Sequence, residues 1–283
     1  MSITSYISLF TSLLILSCAS TKNTGTQENK QPVKNPTAKT IEKDSSSFAI
    51  ATPKKILDID STSVTELVVE KINHNLFHEL LQKHVNIKGN VNYKGFISDK
   101  KQLNTYLLLL SKTPPGDSWT KEEKLAYWMN AYNAFTIKLI IDHYPIKSIK
   151  DIKSPWDYRF IKIDKKWYTL NDIEHRILRK MNEPKIHFGI NCASYSCPPL
   201  LNKAFTSATV NNDLEFLAHQ FINDKSRNTI SENNIELSKI FQWFSKDFKT
   251  DGSLIDFLNN YSNIQIMSTA KKSYKKYDWN LNE

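Results

Sequence analysis

The stretch from Lys121 to His143 limits the architecture more than any other. Leu125, Trp128, Met129, Tyr132, Ile137, Leu139 and Ile140 recur at helical spacing and leave little of the surface polar. A helix that is apolar on nearly every side belongs at the centre of a core. Residues Ser118 to Glu122 supply its start, with acids in the first turn, and Pro145 ends it. It also carries two amides, Asn130 and Asn133, three apart on one face. They either satisfy polar groups inside the core or line a site and donate N–H groups to a substrate carbonyl.

The N-terminal part reads differently. Residues 1–17 are apolar and uncharged, and sit where a signal peptide would. Ile15-Leu16-Ser17-Cys18 resembles a lipoprotein cleavage box, which would make Cys18 a lipidation site and 1–18 the signal peptide. Residues 19–55 are rich in Ser, Thr, Asn, Gln and Lys, contain three prolines, and read as a flexible tether. That leaves 56–283 for one globular domain with an ample core.

The formal charge of the whole chain is +9. The lysines of the domain are scattered, with no basic run interleaved with aromatics, so nucleic acid is not an expected partner. The charge suggests no more than weak attraction to an anionic envelope surface.

Along the domain, the four-residue spacing of Val64, Val68, Ile72, Leu76 and Leu80 predicts an amphipathic helix over 63–84. A turn or short strand around Gly89 and a second apolar helix, 103–110, follow. Phe160–Ile163 and Lys166–Tyr168 read as a hairpin turning at Asp164-Lys165. Thr169 is an N-cap for a helix over 170–181, in whose apolar stripe Glu174 lies. That carboxylate needs either a buried salt bridge, to Arg176, Arg179 or a lysine, or a histidine to orient. Further on come a helix at 209–223, a strand at 235–237, paired aromatics in 239–248, a helix at 254–261, a strand at 264–267, and a tail ending in YDWNL.

Chemistry concentrates in Ile186–Leu200, IHFGINCASYSCPPL. Ile186, Phe188 and Ile190 predict a buried strand, with His187 in it, that runs into a turn bearing Asn191, Cys192, Ser194, Ser196 and Cys197, stopped by two prolines. A thiol attacks only as thiolate, so a nucleophilic Cys192 needs a base, and the base needs a group to hold it. Glu174, His175 and His187 lie within twenty residues of it. An extended 187–192 would span about 16 Å, so His187 reaches Cys192 only if the chain turns back after Asn191. Otherwise His175 is the better base and His187 lines the pocket. Backbone N–H groups after Cys192, starting at Ala193, are the candidate oxyanion donors, with Asn130 or Asn133 as a second. Competing readings are a Cys192–Cys197 disulfide, an inert buried cysteine, and a metal site on His187, Cys192 and Cys197. The last lacks a fourth ligand and the usual two-residue cysteine spacing, so no metal or cofactor is expected.

LAYWMNAYNAFTIKLIIDHYP, TLNDIEHRILR, IHFGINCASYSCPPL and YDWNLN together resemble the domain-of-unknown-function 547 family over roughly Leu76–Leu281. The resemblance implies similarity to papain-like cysteine peptidases and transglutaminase-like folds, with a Glu–His–Cys site. Here that site would be Cys192 as nucleophile, His187 (or His175) as base and Glu174 as orienter. The expectation is therefore an α+β single domain, cysteine-peptidase-like, with a buried central helix packed on a small, mainly antiparallel sheet. It would be lipid-anchored in the bacterial envelope and act by acyl transfer on a peptide-like or envelope substrate. The rival expectation is a catalytically inactive binding module that keeps the cleft.

Overall fold

A computed structural model describes residues 71–283, and the expected signal peptide, the Cys18 lipidation site and the 19–55 tether lie outside them. The described part begins with three helices, α1 (Asn75–His84), α2 (Tyr93–Ser98) and α3 (Lys100–Lys112). Of the expected 63–84 helix, residues 71–74 are not helical. The Asn73 side chain takes the Asn75 N–H at 2.7 Å, and the helical ladder starts only at His78 N–H to His74 O. Between α1 and α2, Val85 and Val91 pair across a turn at Gly89, whose φ is +79°. A Cβ there would come within 2.5 Å of Pro199 and 2.6 Å of the Leu200 backbone, so only glycine lets this turn back onto the exit of the cysteine loop.

Helix α4 (Lys121–His143) has the extent its sequence predicts. Thr120 and Glu123 exchange side-chain and backbone hydrogen bonds, at 3.1 and 2.8 Å, and fix its start. From Leu125 to Ile141 every residue except Lys138 is buried. Its main neighbours are helical: α2, α3, the turns at 172–181, and α6 (Val210–Asn223), which follows the single-turn α5 (Ile186–Gly189).

Among the described residues the strands form two small sheets rather than one platform beneath α4. β1 (Ile161–Ile163) and β2 (Lys166–Tyr168) are the expected hairpin, with Asp164 at φ +52°. β3 (Thr229–Ile230) pairs antiparallel with β4 (Asn234–Leu237). β4 then pairs in parallel with β5 (Lys271–Tyr274), after a crossover through α7 (Ile240–Trp243) and α8 (Leu254–Asn259). The class is α+β, as expected, in one globular domain.

Three local expectations need correction, each for a hydrogen-bonding or packing reason. The strand expected at 264–267 is irregular, because the Asn259 side chain takes both backbone groups of Ile266 at 2.8 and 3.0 Å. The 170–181 helix is instead a π-helical turn, Asp172–Ile177, continued by a 3-10 turn, Leu178–Met181. Thr169 still caps it: Asp172 N–H donates to Thr169 Oγ1 at 2.9 Å, and Thr169 N–H to Asp172 Oδ2 at 3.0 Å. Ile186–Gly189 is a helical turn and not a strand. All five residues of 186–190 are buried, so the run lacks the polar alternation that separates the two periods. The turn brings Gly189 against Met129, Leu214 and Phe205, where a Cβ would collide with the Met129 side chain.

Candidate active site

Cys192 lies in the loop after α5, and α4 holds that loop in place. Asn133 Nδ2 donates to Gly189 O and its Oδ1 accepts the Asn191 N–H, both at 2.9 Å. Asn191 in turn accepts the Ala193 N–H at 2.8 Å and donates to Pro198 O at 2.8 Å. Ala193 has φ +61°, a left-handed conformation its small side chain tolerates at about 1–2 kcal/mol. The segment Asp278–Asn282 straps the loop from outside: Tyr195 N–H donates to Asn280 O at 2.7 Å and Ser196 N–H to Asp278 O at 3.1 Å. The same segment reaches back to Val91, whose N–H donates to Asn282 O at 2.7 Å.

The strap delivers Tyr277 to the sulfur. Cys192 Sγ lies 3.0 Å from Cys197 Sγ, 3.1 Å from Ser194 Oγ and 3.4 Å from Tyr277 Oη, and the Ser194 backbone N–H also donates to it. The Cys197 hydrogen bond is the strongest of these influences. Together the donors outweigh desolvation and lower the Cys192 thiol from its ordinary 9.0 to about 6. Burial and the neighbouring Cys192 push the Cys197 thiol the other way.

Cys192 opens into a pocket of about 270 Å³ walled by Trp156, Trp243, Phe244, Trp279, Ile190 and Ile240. Glu174, His175 and His187 line it too, so the structure brings together all four residues singled out from the sequence. The wide π turn rotates successive side chains by less than an α-helix does, which lets neighbours Glu174 and His175 both face the pocket.

Their hydrogen bonds are not those expected. Glu174 Oε2 accepts from Tyr132 Oη at 3.1 Å and from neither histidine. Burial first, and then the charge of Cys192, raises its carboxyl from 4.5 to about 7. Asp247 is the orienting carboxylate instead. His187 Nε2 bonds Asp247 Oδ2 at 2.8 Å, and Arg179 clamps the same carboxylate at 2.6 and 2.8 Å. Desolvation opposes ionisation of Asp247, but the His187 and Arg179 bonds prevail and hold it well below the usual carboxylate range. With Asp247 ionised, His187 carries its proton on Nε2 and leaves Nδ1 bare. Its ring stacks on Phe244 at 3.9 Å. His175 Nδ1 accepts from Arg179 at 3.1 Å, so this ring also rests neutral. Burial lowers both imidazoles. Neither is a hydrogen-bond partner of Cys192, whose sulfur is held by Cys197, Ser194 and Tyr277.

The expected oxyanion donors are committed elsewhere. Asn130 clamps both backbone groups of Phe205, at 2.8 and 3.0 Å, and Asn133 the two ends of the α5 exit. Both amides therefore play the core-satisfying role. The Ala193 N–H goes to Asn191 and the Cys192 N–H to Cys197 Sγ at 3.0 Å. Sequence reasoning missed Tyr277 and Asp247. Tyr277 is the first residue of the recognised YDWNLN motif, which carried no role for it at the sulfur, whereas nothing in the aromatic run around Asp247 marks that residue. Among the described residues, no group of three or more His, Cys, Asp or Glu is arranged to hold a metal ion.

A family model described as "Protein of unknown function, DUF547" matches residues 116–222. That segment holds α4, the hairpin, the π turn, the cysteine loop and most of α6, but neither Asp247 nor Tyr277. No curated protein matches the chain, and no solved structure does.

Proposed function

We propose that this protein is a cysteine-dependent acyl-transfer enzyme, peptidase- or amidase-like, with Cys192 as the nucleophile. The observation that supports it best is the set of hydrogen-bond partners, Cys197 Sγ, Ser194 Oγ and Tyr277 Oη, that converge on Cys192 Sγ at the wall of an aromatic pocket. With the thiol at about 6, thiolate predominates at neutral pH and needs no base to form it. It attacks the carbonyl carbon of an amide or ester, the C–S bond forms, and the carbonyl electrons move to oxygen. The Tyr277 hydroxyl donates to that oxyanion. Collapse expels the amine or alcohol, which takes its proton from Glu174, a carboxyl present in both forms near pH 7. Water then attacks the thioester, returns a proton to Glu174 and frees the thiolate. His187, steadied by Asp247, is the second proton carrier in the pocket, and His175 the third.

The substrate in this reading is a peptide-like component of the bacterial envelope whose apolar flank rests on Trp243, Phe244 and Trp279. A lipid at Cys18 would hold the enzyme at a bilayer. An inactive binding module is favoured by one observation, that both histidines and the candidate oxyanion donors Ala193 N–H, Asn130 and Asn133 are already bonded elsewhere. Acyl-enzyme trapping separates the two: with an activated ester of a peptide, intact mass shows an adduct that disappears in Cys192→Ala. An adduct that survives the substitution, or none at all, sinks the enzymatic reading.

A further inference from the structure

The site holds a second sulfur that acyl transfer does not use. Both cysteines line the pocket, but Cys197 is buried, 6% exposed, whereas Cys192 is only half-buried. Their sulfurs lie 3.0 Å apart, about 1 Å beyond a covalent bond. The turn that carries them is closed by Cys197 N–H to Ser194 O at 3.1 Å. The two thiols are also unequally served. Cys192 Sγ has the Ser194 hydroxyl and backbone N–H beside it, whereas Cys197 Sγ takes the Cys192 backbone N–H, and the two sulfurs share Tyr277.

The geometry points to a thiol–disulfide exchange couple, with Cys192 as the attacking thiol and Cys197 as the resolving thiol, acting on peptide or small-molecule disulfides. It shares Cys192 with the proposed acyl transfer but needs no acyl chemistry.

The exchange balances in two steps. The Cys192 thiolate attacks one sulfur of R–S–S–R′, the Cys192–SR bond forms, and R′S⁻ leaves and takes a proton from water. Cys197 then gives its proton to the Glu174 carboxylate, which lines the same pocket, and attacks Cys192 Sγ. The Cys192–Cys197 bond forms as the bond to SR breaks, and RS⁻ departs. Two electrons pass from the protein dithiol to the substrate disulfide, which becomes two thiols. In reverse, the oxidised protein oxidises a dithiol. The hydroxyls around Cys192 Sγ stabilise it as the attacking thiolate and, in reverse, as the leaving group.

Oxidised glutathione tests this on the reduced full chain, with acid quench, alkylation, intact mass and peptide mapping. The expected product is a Cys192–Cys197 disulfide, two hydrogens lighter, with no glutathione retained and full recovery by dithiothreitol. Cys197→Ser, and separately Cys197→Ala, should stall with glutathione on Cys192. A wild-type protein that keeps glutathione on Cys192, or stays reduced, overturns the inference, and this arm needs no variant to fold. An acyl-enzyme adduct formed without any disulfide would refute the exchange and leave acyl transfer standing. Disulfide formation without an acyl adduct would do the reverse.

Discussion

Glu174→Gln gives a direct measure of what the site costs the fold. The carboxyl is 7% exposed, accepts the Tyr132 hydroxyl, and has no hydrogen-bonded cation. Raising it from 4.5 to about 7 corresponds to roughly 3 kcal/mol of disfavoured ionisation. Between those values the folded state keeps the proton and the unfolded state has lost it, so this group lowers stability as pH rises from 4.5 to 7. Below 4.5 it is neutral in both states and contributes nothing; above 7 the full penalty applies. Glutamine keeps an acceptor for Tyr132 and carries no charge. Urea unfolding of both proteins across pH 4–8.5 should show near-equal stability at pH 4 and the variant ahead by roughly 3 kcal/mol at pH 8. Part of that gap comes from the Cys192 charge, so it should shrink in a Cys192→Ser background. A difference that stays flat with pH would refute the buried, unpaired carboxylate.

Other substitutions read other parts of the site. Tyr277→Phe removes one hydrogen-bond partner from Cys192 Sγ, so the thiol should rise from about 6 toward 9.0, with alkylation at pH 6 about threefold slower for a hydrogen bond of about 1 kcal/mol. Asn133→Ala leaves the buried Gly189 carbonyl and Asn191 N–H without their partner and should cost about 2–4 kcal/mol in denaturant unfolding. Asp247→Asn weakens the Arg179 clamp and should cost about 1–3 kcal/mol at neutral pH. The Asp247 carboxyl is depressed, so its contribution is present above its ordinary 3.8 and lost as pH falls through the lower folded value. The variant should therefore show a flatter acid limb.

Much of this architecture is legible in the chain because it follows from periodicity and capping. Lys121–His143 is bounded as read, since a strong apolar period meets a capping residue at one end and Pro145 at the other. The hairpin at 161–168 follows from its turn, and Thr169 from its reciprocal bonds with Asp172. What eludes a sequence is set by partners distant along the chain. Ile186–Ile190 packs on every side, so its pattern does not choose between strand and helix. Glu174 and His187 share the pocket as read, but their hydrogen bonds go to Tyr132 and Asp247, 42 and 60 positions away. Tyr277 reaches Cys192 across 85 positions because the strap at 278–282 pairs with the cysteine loop. Asparagine side chains acting as backbone clamps, at 130, 133 and 259, take hydrogen bonds that propensity assigns to catalysis or to a sheet.

The account rests on Cys192 being ionised at neutral pH, and the rate of its alkylation by iodoacetamide as a function of pH measures that directly. With the protein reduced and modification located by peptide mapping, the rate should climb to a plateau with its inflection near 6. An inflection near the ordinary 9.0, or a Cys192 that stays unmodified throughout, would contradict it.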